Sequence, residues 1–344
     1  MQLGNGDGTF QTATTIHITT GFGPAEVHAV SLRGNGTLDL IVGSFNLNQI
    51  AVLLGNGNGT FGAATLYTVG TAANTPTSLT TGDFNHDGKL DVAAADYGDN
   101  KVSILTGNGT GALTPFGSPI SVGYEPEAIR AGDFNGDGYS DLAVANYGDG
   151  TVSILLNNQS GGFTTTNVNN GAHSGPQALA ITGSGTNQLV AVALVNTNAV
   201  NVLRNNGSGA FTIQTTAPVG KGPDDVTFAD FNGDNIQDLA VSNYTDGTVD
   251  LLLGSTAGTY SLVGPFKVGT GPYSAAVGDL NLDGTPDVAA SNCFSNNTGV
   301  LLDGTQIAVP FSGLSLSAAN QYNGSYTPDV NSKYGPSASP NTVP

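Results

Sequence analysis

Residues 132–145 read Gly-Asp-Phe-Asn-Gly-Asp-Gly-Tyr-Ser-Asp-Leu-Ala-Val-Ala, and this stretch decides the fold. It carries side-chain oxygens at alternate positions, Asp133, Asn135 and Asp137, then turns at Gly138 and passes through Asp141 into small apolar residues. Upstream stands Gly-Tyr-Glu-Pro126 followed by Glu-Ala-Ile-Arg-Ala. Downstream come Tyr147-Gly-Asp-Gly-Thr, the alternating Val152-Ser-Ile-Leu-Leu156, an Asn- and Gly-rich turn, and Phe163. Gly, Asn and Asp clusters between short apolar runs are the chemistry of hairpin turns. No helical period is sustained. The unit therefore reads as four strands: A from Pro126 to Gly132, B after Asp141, C across Val152 to Leu156, and D from Phe163.

The unit recurs. Pro24, Pro76, Pro126, Pro176, Pro223 and Pro272 sit in similar contexts, separated by 52, 50, 50, 47 and 49 residues. Four-stranded units at this period predict an all-β fold, a β-propeller of four-stranded antiparallel blades. Solenoid coils are shorter, and sandwich domains need about 100 residues each. Six blades are expected over residues 1–303, and a truncated seven-bladed ring is the alternative. The segment Leu3-Gly-Asn-Gly-Asp-Gly-Thr-Phe10 matches Leu54-Gly-Asn-Gly-Asn-Gly-Thr-Phe61, so the sequence opens on the tail of a blade. The strand from Phe10 to Ile18 is expected to pair with the last strand C, closing the ring and hiding both edges. Residues 304–344 shift toward Ser, Asn, Tyr and Pro and read as a linker or a partial immunoglobulin-like module.

Composition bounds the function. Among 344 residues, 26 Asp and Glu face 8 Lys and Arg, for a net charge of −18. That surface repels phosphate backbones and anionic lipid, so no nucleic acid partner is expected. No apolar run is long enough to insert in a membrane as a helix. Cys293 is the lone cysteine, which precludes an intrachain disulfide. The N-terminal residues show no basic start or apolar stretch of a signal sequence.

The motif Asp-x-Asn-x-Asp-Gly-x-x-Asp predicts metal sites between strands A and B. It occurs as Asp83, Asn85, Asp87 and Asp91, as Asp133, Asn135, Asp137 and Asp141, and as Asp279, Asn281, Asp283 and Asp287. A fourth copy has Asp230, Asn232, Asp234 and Asp238, with Asn235 in place of the glycine. Alternating oxygens followed by a residue that accepts positive φ let a short loop wrap a cation. The main-chain carbonyls of Lys89, Tyr139, Ile236 and Thr285 supply a further oxygen. Hard oxygen donors without His or Cys select Ca²⁺. An EF-hand would need Glu at position twelve and flanking helices; here Asp stands at position nine and leads into a strand. Plain Asp-Gly turns are the bland reading, and four copies at one phase of the repeat weigh against it.

Two units have lost the motif. In the first, Ser31, Arg33, Asn35 and Asp39 occupy the ligand positions, and Arg33 puts a positive charge where a cation would sit. In the fourth, Gly183-Ser-Gly-Thr-Asn-Gln has no carboxylate. About four Ca²⁺ per chain are expected, which would bring the net charge to about −10. Twelve of the 26 acidic residues belong to these loops, so without metal their mutual repulsion would loosen the turns.

The run Gly-Asp-Phe-Asn-Gly-Asp-Gly-Tyr-Ser-Asp-Leu-Ala-Val-Ala preceded by Gly-x-x-Pro resembles the FG-GAP repeat, also called the VCBS repeat, over residues 1–303. The resemblance implies a propeller like the head of integrin α subunits and of bacterial surface proteins, with calcium at the matching Asp and Asn positions. It implies an extracellular or cell-surface location. Two degenerate loops and six units, where seven blades are usual, depart from that pattern.

Alternating strand direction puts the A–B and C–D turns on one face and the B–C and D–A turns on the other. The opposite face carries Phe22, Tyr124, Tyr273, Tyr97, Tyr147 and Tyr244 and is the expected place for a protein or glycan ligand. An adhesion, interaction or structural module of a larger surface protein is expected, with a lectin as the alternative. The absence of Trp weighs against the lectin. Some FG-GAP propellers resemble polysaccharide lyases, but His17, His28, His86 and His173 share no phase in the repeat, and no enzyme is expected.

Overall fold

The computed structural model describes residues 11–12, 14–71, 76–182, 187–281 and 283–302. The third unit has the four strands its sequence announces: Pro126–Gly132, Asp141–Asn146, Thr151–Asn157 and Phe163–Asn169, paired antiparallel in that order. The first, second, fourth and fifth units repeat the order, and the sixth repeats its first three strands, giving six sheets arranged as a β-propeller. In the second blade the outer strand is split into Leu113–Pro115 and Ile120–Ser121. Pro115 and Pro119 cannot donate to a ladder, which interrupts the pairing. The sixth blade has three described strands, Pro272–Gly278, Asp287–Asn292 and Asn297–Leu301.

Strand B is buried along its whole length in blades two, three and five. In Asp141–Asn146 every residue is buried, because neighbouring blades cover both faces. That is why the sequence runs Leu-Ala-Val-Ala without polar alternation. Alanines at 93, 95, 143, 145, 191 and 193 are wholly buried and let successive sheets approach closely. The core is correspondingly partitioned into packets between blades. Phe134, Ala143 and Ile154 of the third blade pack on Leu179, Val192 and Leu203 of the fourth. Phe84 and Val102 of the second pack on Ile129, Leu142 and Leu155 of the third. Each fully buried Leu or Ile contributes about 2 kcal/mol of transfer free energy.

Five junctions are filled in this way, joining blades one to six in sequence. The flank of blade one away from blade two is different. Phe22, Val42, Ala51 and Leu53 are covered there by Ile16 and Ile18 of the N-terminal segment. Residues 14–19 form no strand, and no ladder joins them to Asn297–Leu301. The expected closure by Phe10 to Ile18 is therefore not made by its described part; residues 1–10 and 13 lie outside the described residues. Val27 is 36 % exposed, whereas its equivalents Leu79, Ile129, Leu179 and Val226 are at most 3 % exposed. Residues 304–344, expected to be a linker or partial module, also lie outside the described residues.

Candidate functional site

The four Asp loops share one geometry. In the third blade, Asp133 Oδ1 and Asn135 Oδ1 both accept from the N–H of Asp137, at 3.1 and 3.0 Å. Two oxygens bound to one N–H must lie side by side, so the alternate positions converge. The same pair of bonds recurs at Asp87 N (3.0 and 3.0 Å), Asp234 N (3.1 and 3.0 Å) and Asp283 N (3.1 and 3.0 Å). Position six then donates to the first carboxylate: Gly88 to Asp83 at 2.8 Å, Gly138 to Asp133 at 3.0 Å, Asn235 to Asp230 at 2.8 Å and Gly284 to Asp279 at 3.0 Å. Gly138 and Gly284 have φ of 86° and 93°, and Asn235 takes φ 64° in the one loop without glycine at that position. The N–H groups of Lys89, Tyr139, Ile236 and Thr285 all donate to the position-five carboxylate.

The position-nine aspartate does something else. Asp141 is fully buried and accepts from Phe134 N (2.8 Å) and from Asn157 N (2.7 Å), pinning its own loop to strand C. Asp91 does the same with Phe84 and Gly107, and Asp238 with Phe231 and Gly254. Asp287 accepts from Leu280 N at 2.8 Å. Burial pushes Asp141 up to about 7 and Asp91 up to about 6, with repulsion from Asp137 and Asp133, or from Asp83, adding to it. The sequence reading places this aspartate among the metal ligands; the structure shows it accepting main-chain N–H bonds that hold the turn together.

A bound cation would draw on more than carboxylates. Among the described residues no three His, Cys, Asp or Glu side chains converge closely enough to hold a metal by themselves. Each loop would need its Asn oxygen and a main-chain carbonyl as well. The paired Asp and Asn oxygens on one concave turn fit a hard divalent ion. The first blade supplies a stand-in: Arg33 Nη2 lies 2.6 Å from Asp39 Oδ1, and Nε lies 3.3 Å from Oδ2. A guanidinium thus sits against the position-nine carboxylate. The fourth-blade loop lies at 183–186, outside the described residues.

The loops of blades two and three also touch. His86, at φ 60°, stacks on Tyr139 with ring centroids 4.3 Å apart. Gln159 in the C–D turn donates to Asp137 Oδ2 at 2.9 Å, so A–B and C–D turns share a face, as the strand order requires.

On the other face the B–C turns bond to the D–A turns, as in Tyr147 N to Glu125 O at 2.9 Å. Here a cavity of about 420 Å³ opens, bounded by Phe45, Tyr97, Tyr147 and Val195 from four successive B–C turns, with Thr77, Glu127 and Gln177 beneath. A narrower passage continues inward past Asp224, Tyr273, Arg130 and the carboxylates of Glu26 and Asp225. Its walls come from strand A of all six blades, which places it on the ring axis. Of the aromatics expected on this face, Tyr97 and Tyr147 line the cavity, Tyr273 lines the passage, and Tyr244 packs on Tyr273 and Phe294. Tyr124 is exposed, but Phe22 is 2 % exposed and belongs to the core. The polar lining was missed in the sequence, because it comes from one residue type per blade. Its signal is positional: Thr77, Glu127, Gln177, Asp224 and Tyr273 each follow the repeat's proline.

Comparison with known proteins gives the family. The model described as FG-GAP-like repeat matches residues 32–94, 83–144, 181–241 and 230–290, more than half of the chain. No curated protein matches the sequence. Among solved structures, a protein from Lactobacillus plantarum aligns at TM-score 0.63 and 18 % identity, covering 83 % of this chain and 85 % of that one. Virginiamycin B lyase from Staphylococcus aureus aligns at TM-score 0.60 and 16 % identity, covering 88 % and 89 %. A functionally unknown protein from Desulfotomaculum acetoxidans aligns at TM-score 0.62 and 13 % identity, covering 87 % and 88 %. At these identities the likeness is one of fold.

Proposed function

The chain belongs to the FG-GAP-like repeat family, and from that premise we propose that it is a calcium-stapled propeller serving as an extracellular interaction module of a larger surface protein. The observation that carries the reading is the convergence of Asp and Asn oxygens on one N–H, repeated in four loops at one phase of the repeat. Asp83, Asn85 and Asp87, and their counterparts in blades three, five and six, would hold Ca²⁺. The ion would neutralise carboxylates that otherwise repel one another, coupling binding to folding. Asp91, Asp141, Asp238 and Asp287 anchor each turn behind it.

The module is proposed to bind rather than catalyse. His28 lies 3.0 Å from Glu26 and both are buried, while His86 is stacked on Tyr139, so neither is poised as a free base. The carboxylates of the loops are engaged by main-chain N–H groups. Among the described residues no helix is long and apolar enough to cross a membrane.

The test is elemental analysis of the purified chain alongside thermal unfolding with calcium and with chelator. About four calcium ions per chain and a sharp drop in Tm on chelation are expected. No bound calcium and an unchanged melt would reduce the loops to ordinary turns.

A further inference from the structure

We propose that the axial cavity on the face opposite the Asp loops is a binding site for a small organic ammonium ion, an aliphatic amine held between its aromatic wall and its carboxylates. Its volume, about 420 Å³, is in the range of small-molecule pockets. The wall is aromatic on successive blades, with Phe45, Tyr97 and Tyr147 at equivalent places in the B–C turns. Burial, with the Glu125 and Glu127 carboxylates nearby, pushes the Tyr97 hydroxyl up. Aromatic faces attract cations through the ring quadrupole, and more strongly where water is excluded.

Two carboxyl groups sit at different depths below that wall, Glu127 and Asp224. Among the described residues no Lys, Arg or His pairs with either. Gln177 donates weakly to Glu127 at 3.4 Å, and no hydrogen bond to Asp224 is present among the described residues. The one cation of the passage, Arg130, is committed deeper: it donates to Ile129 O at 2.8 Å and its charge acts on Glu26 and Asp225. The cavity and the passage beneath it thus gather two carboxyl groups that no cation among the described residues pairs with. Burial pushes both Glu127 and Asp224 up to about 7, with Glu125 acting on the first and Asp225 and Glu127 on the second. A cation is the ligand that relieves this. A neutral sugar would find polar groups but nothing to balance the charge, and an anion would be repelled.

The site does not depend on calcium being present in the loops, and its test separates the two. Isothermal titration calorimetry on the full chain in calcium would use 1,4-diaminobutane as probe, with 1,4-butanediol and methyl glucoside as neutral controls. Saturable binding of the diamine at one site and none of the controls is expected. The double variant Glu127→Gln, Asp224→Asn should lose binding by roughly tenfold or more while keeping its calcium content and melting no lower than the wild type. Tyr147→Leu, which leaves both carboxylates in place, should weaken it by roughly three- to tenfold. Absence of diamine binding to the wild type would overturn the proposal. So would equal binding of the diol, binding of the glucoside in its place, or an affinity unchanged in the double variant.

Discussion

Arg33 and Asp39 form a bidentate pair in the first blade, and Arg33 Nη2 also donates to Gly55 O at 2.6 Å. The guanidinium adds a second tie between the degenerate A–B turn and the neighbouring strand end, beside the Gly55 N–H to Asp39 bond that matches the Asn157 N–H to Asp141 bond of the third blade. Arg33→Ala should therefore cost about 2 kcal/mol, because Asp39 stays buried with only the Gly55 N–H to offset its charge. Urea denaturation in calcium and in chelator would give the same loss, since no ion is involved at this blade.

The same blade can be rebuilt as a metal loop. Ser31→Asp, Arg33→Asn and Asn35→Asp together recreate the full motif around Gly36 and Asp39. Elemental analysis should then count about one more calcium ion per chain than the wild type. An unchanged count would mean that the motif is insufficient for binding.

Loops are also held by the next blade. Asn157 Nδ2 donates to Phe84 O at 2.8 Å and Asn205 Nδ2 to Phe134 O at 2.6 Å, each across a blade junction. Both carbonyls lie in residues that are at most 1 % exposed. Asn157→Ala or Asn205→Ala should destabilise by about 1–3 kcal/mol, the cost of leaving a buried carbonyl unpaired. Denaturant midpoints would show it, and Asn206→Ala, on an exposed turn, is the control.

Stability should depend on pH with opposite slopes on two sides. Burial raises Asp96, Glu127 and Asp224 to about 7, so between the ordinary carboxylate range and pH 7 the folded chain holds protons that the unfolded chain has released. Their contribution to stability is lost as pH rises through that window. Glu26 runs the other way: burial opposes its charge, but His28 and Arg130 hold it down to about 2. Its contribution is present above the ordinary range and lost as pH falls toward 2. Calcium-free protein should be most stable near pH 4–5. A urea series from pH 2 to 8 that shows no maximum would contradict the assignment.

Packing between blades sets the scale for core substitutions. Leu142 is fully buried against Phe84 and Val102 of the preceding blade, so Leu142→Ala should cost about 3 kcal/mol and lower Tm with or without calcium.

The strand plan was legible because turn chemistry punctuates it. Pro126 and Gly132 bound strand A in sequence and structure alike, and strand B, expected after Asp141, opens on Asp141 itself. The convergence of Asp133 and Asn135 was implicit in their spacing. What spacing could not convey was the division of labour within the motif, since Asp137 and Asp141 are the same residue type. Depth decides between them: Asp137 is partly open at the surface, and Asp141 is sealed beneath two N–H groups. The axial cavity was hidden for a related reason. Thr77, Glu127, Gln177 and Asp224 have nothing in common except their place after a proline, and only the ring brings them together. Phe22 was misplaced because a D–A turn reads as surface, whereas Ile16 and Ile18 fold over it.

The graded cover over the loops has a consequence for how the molecule would respond to its surroundings. The residue after each loop's first aspartate is sealed in blades two and three, at Phe84 and Phe134, partly covered at Phe231, and 53 % exposed at Leu280. Four loops of one sequence pattern thus differ in how firmly the adjoining sheet braces them. Rigid loops retain an ion at lower concentrations than loose ones, so the chain would fill in a staggered order, blades two and three first and blade six last. The propeller would then act as a rheostat, stiffening by steps as calcium rises where four equal sites would have tripped together.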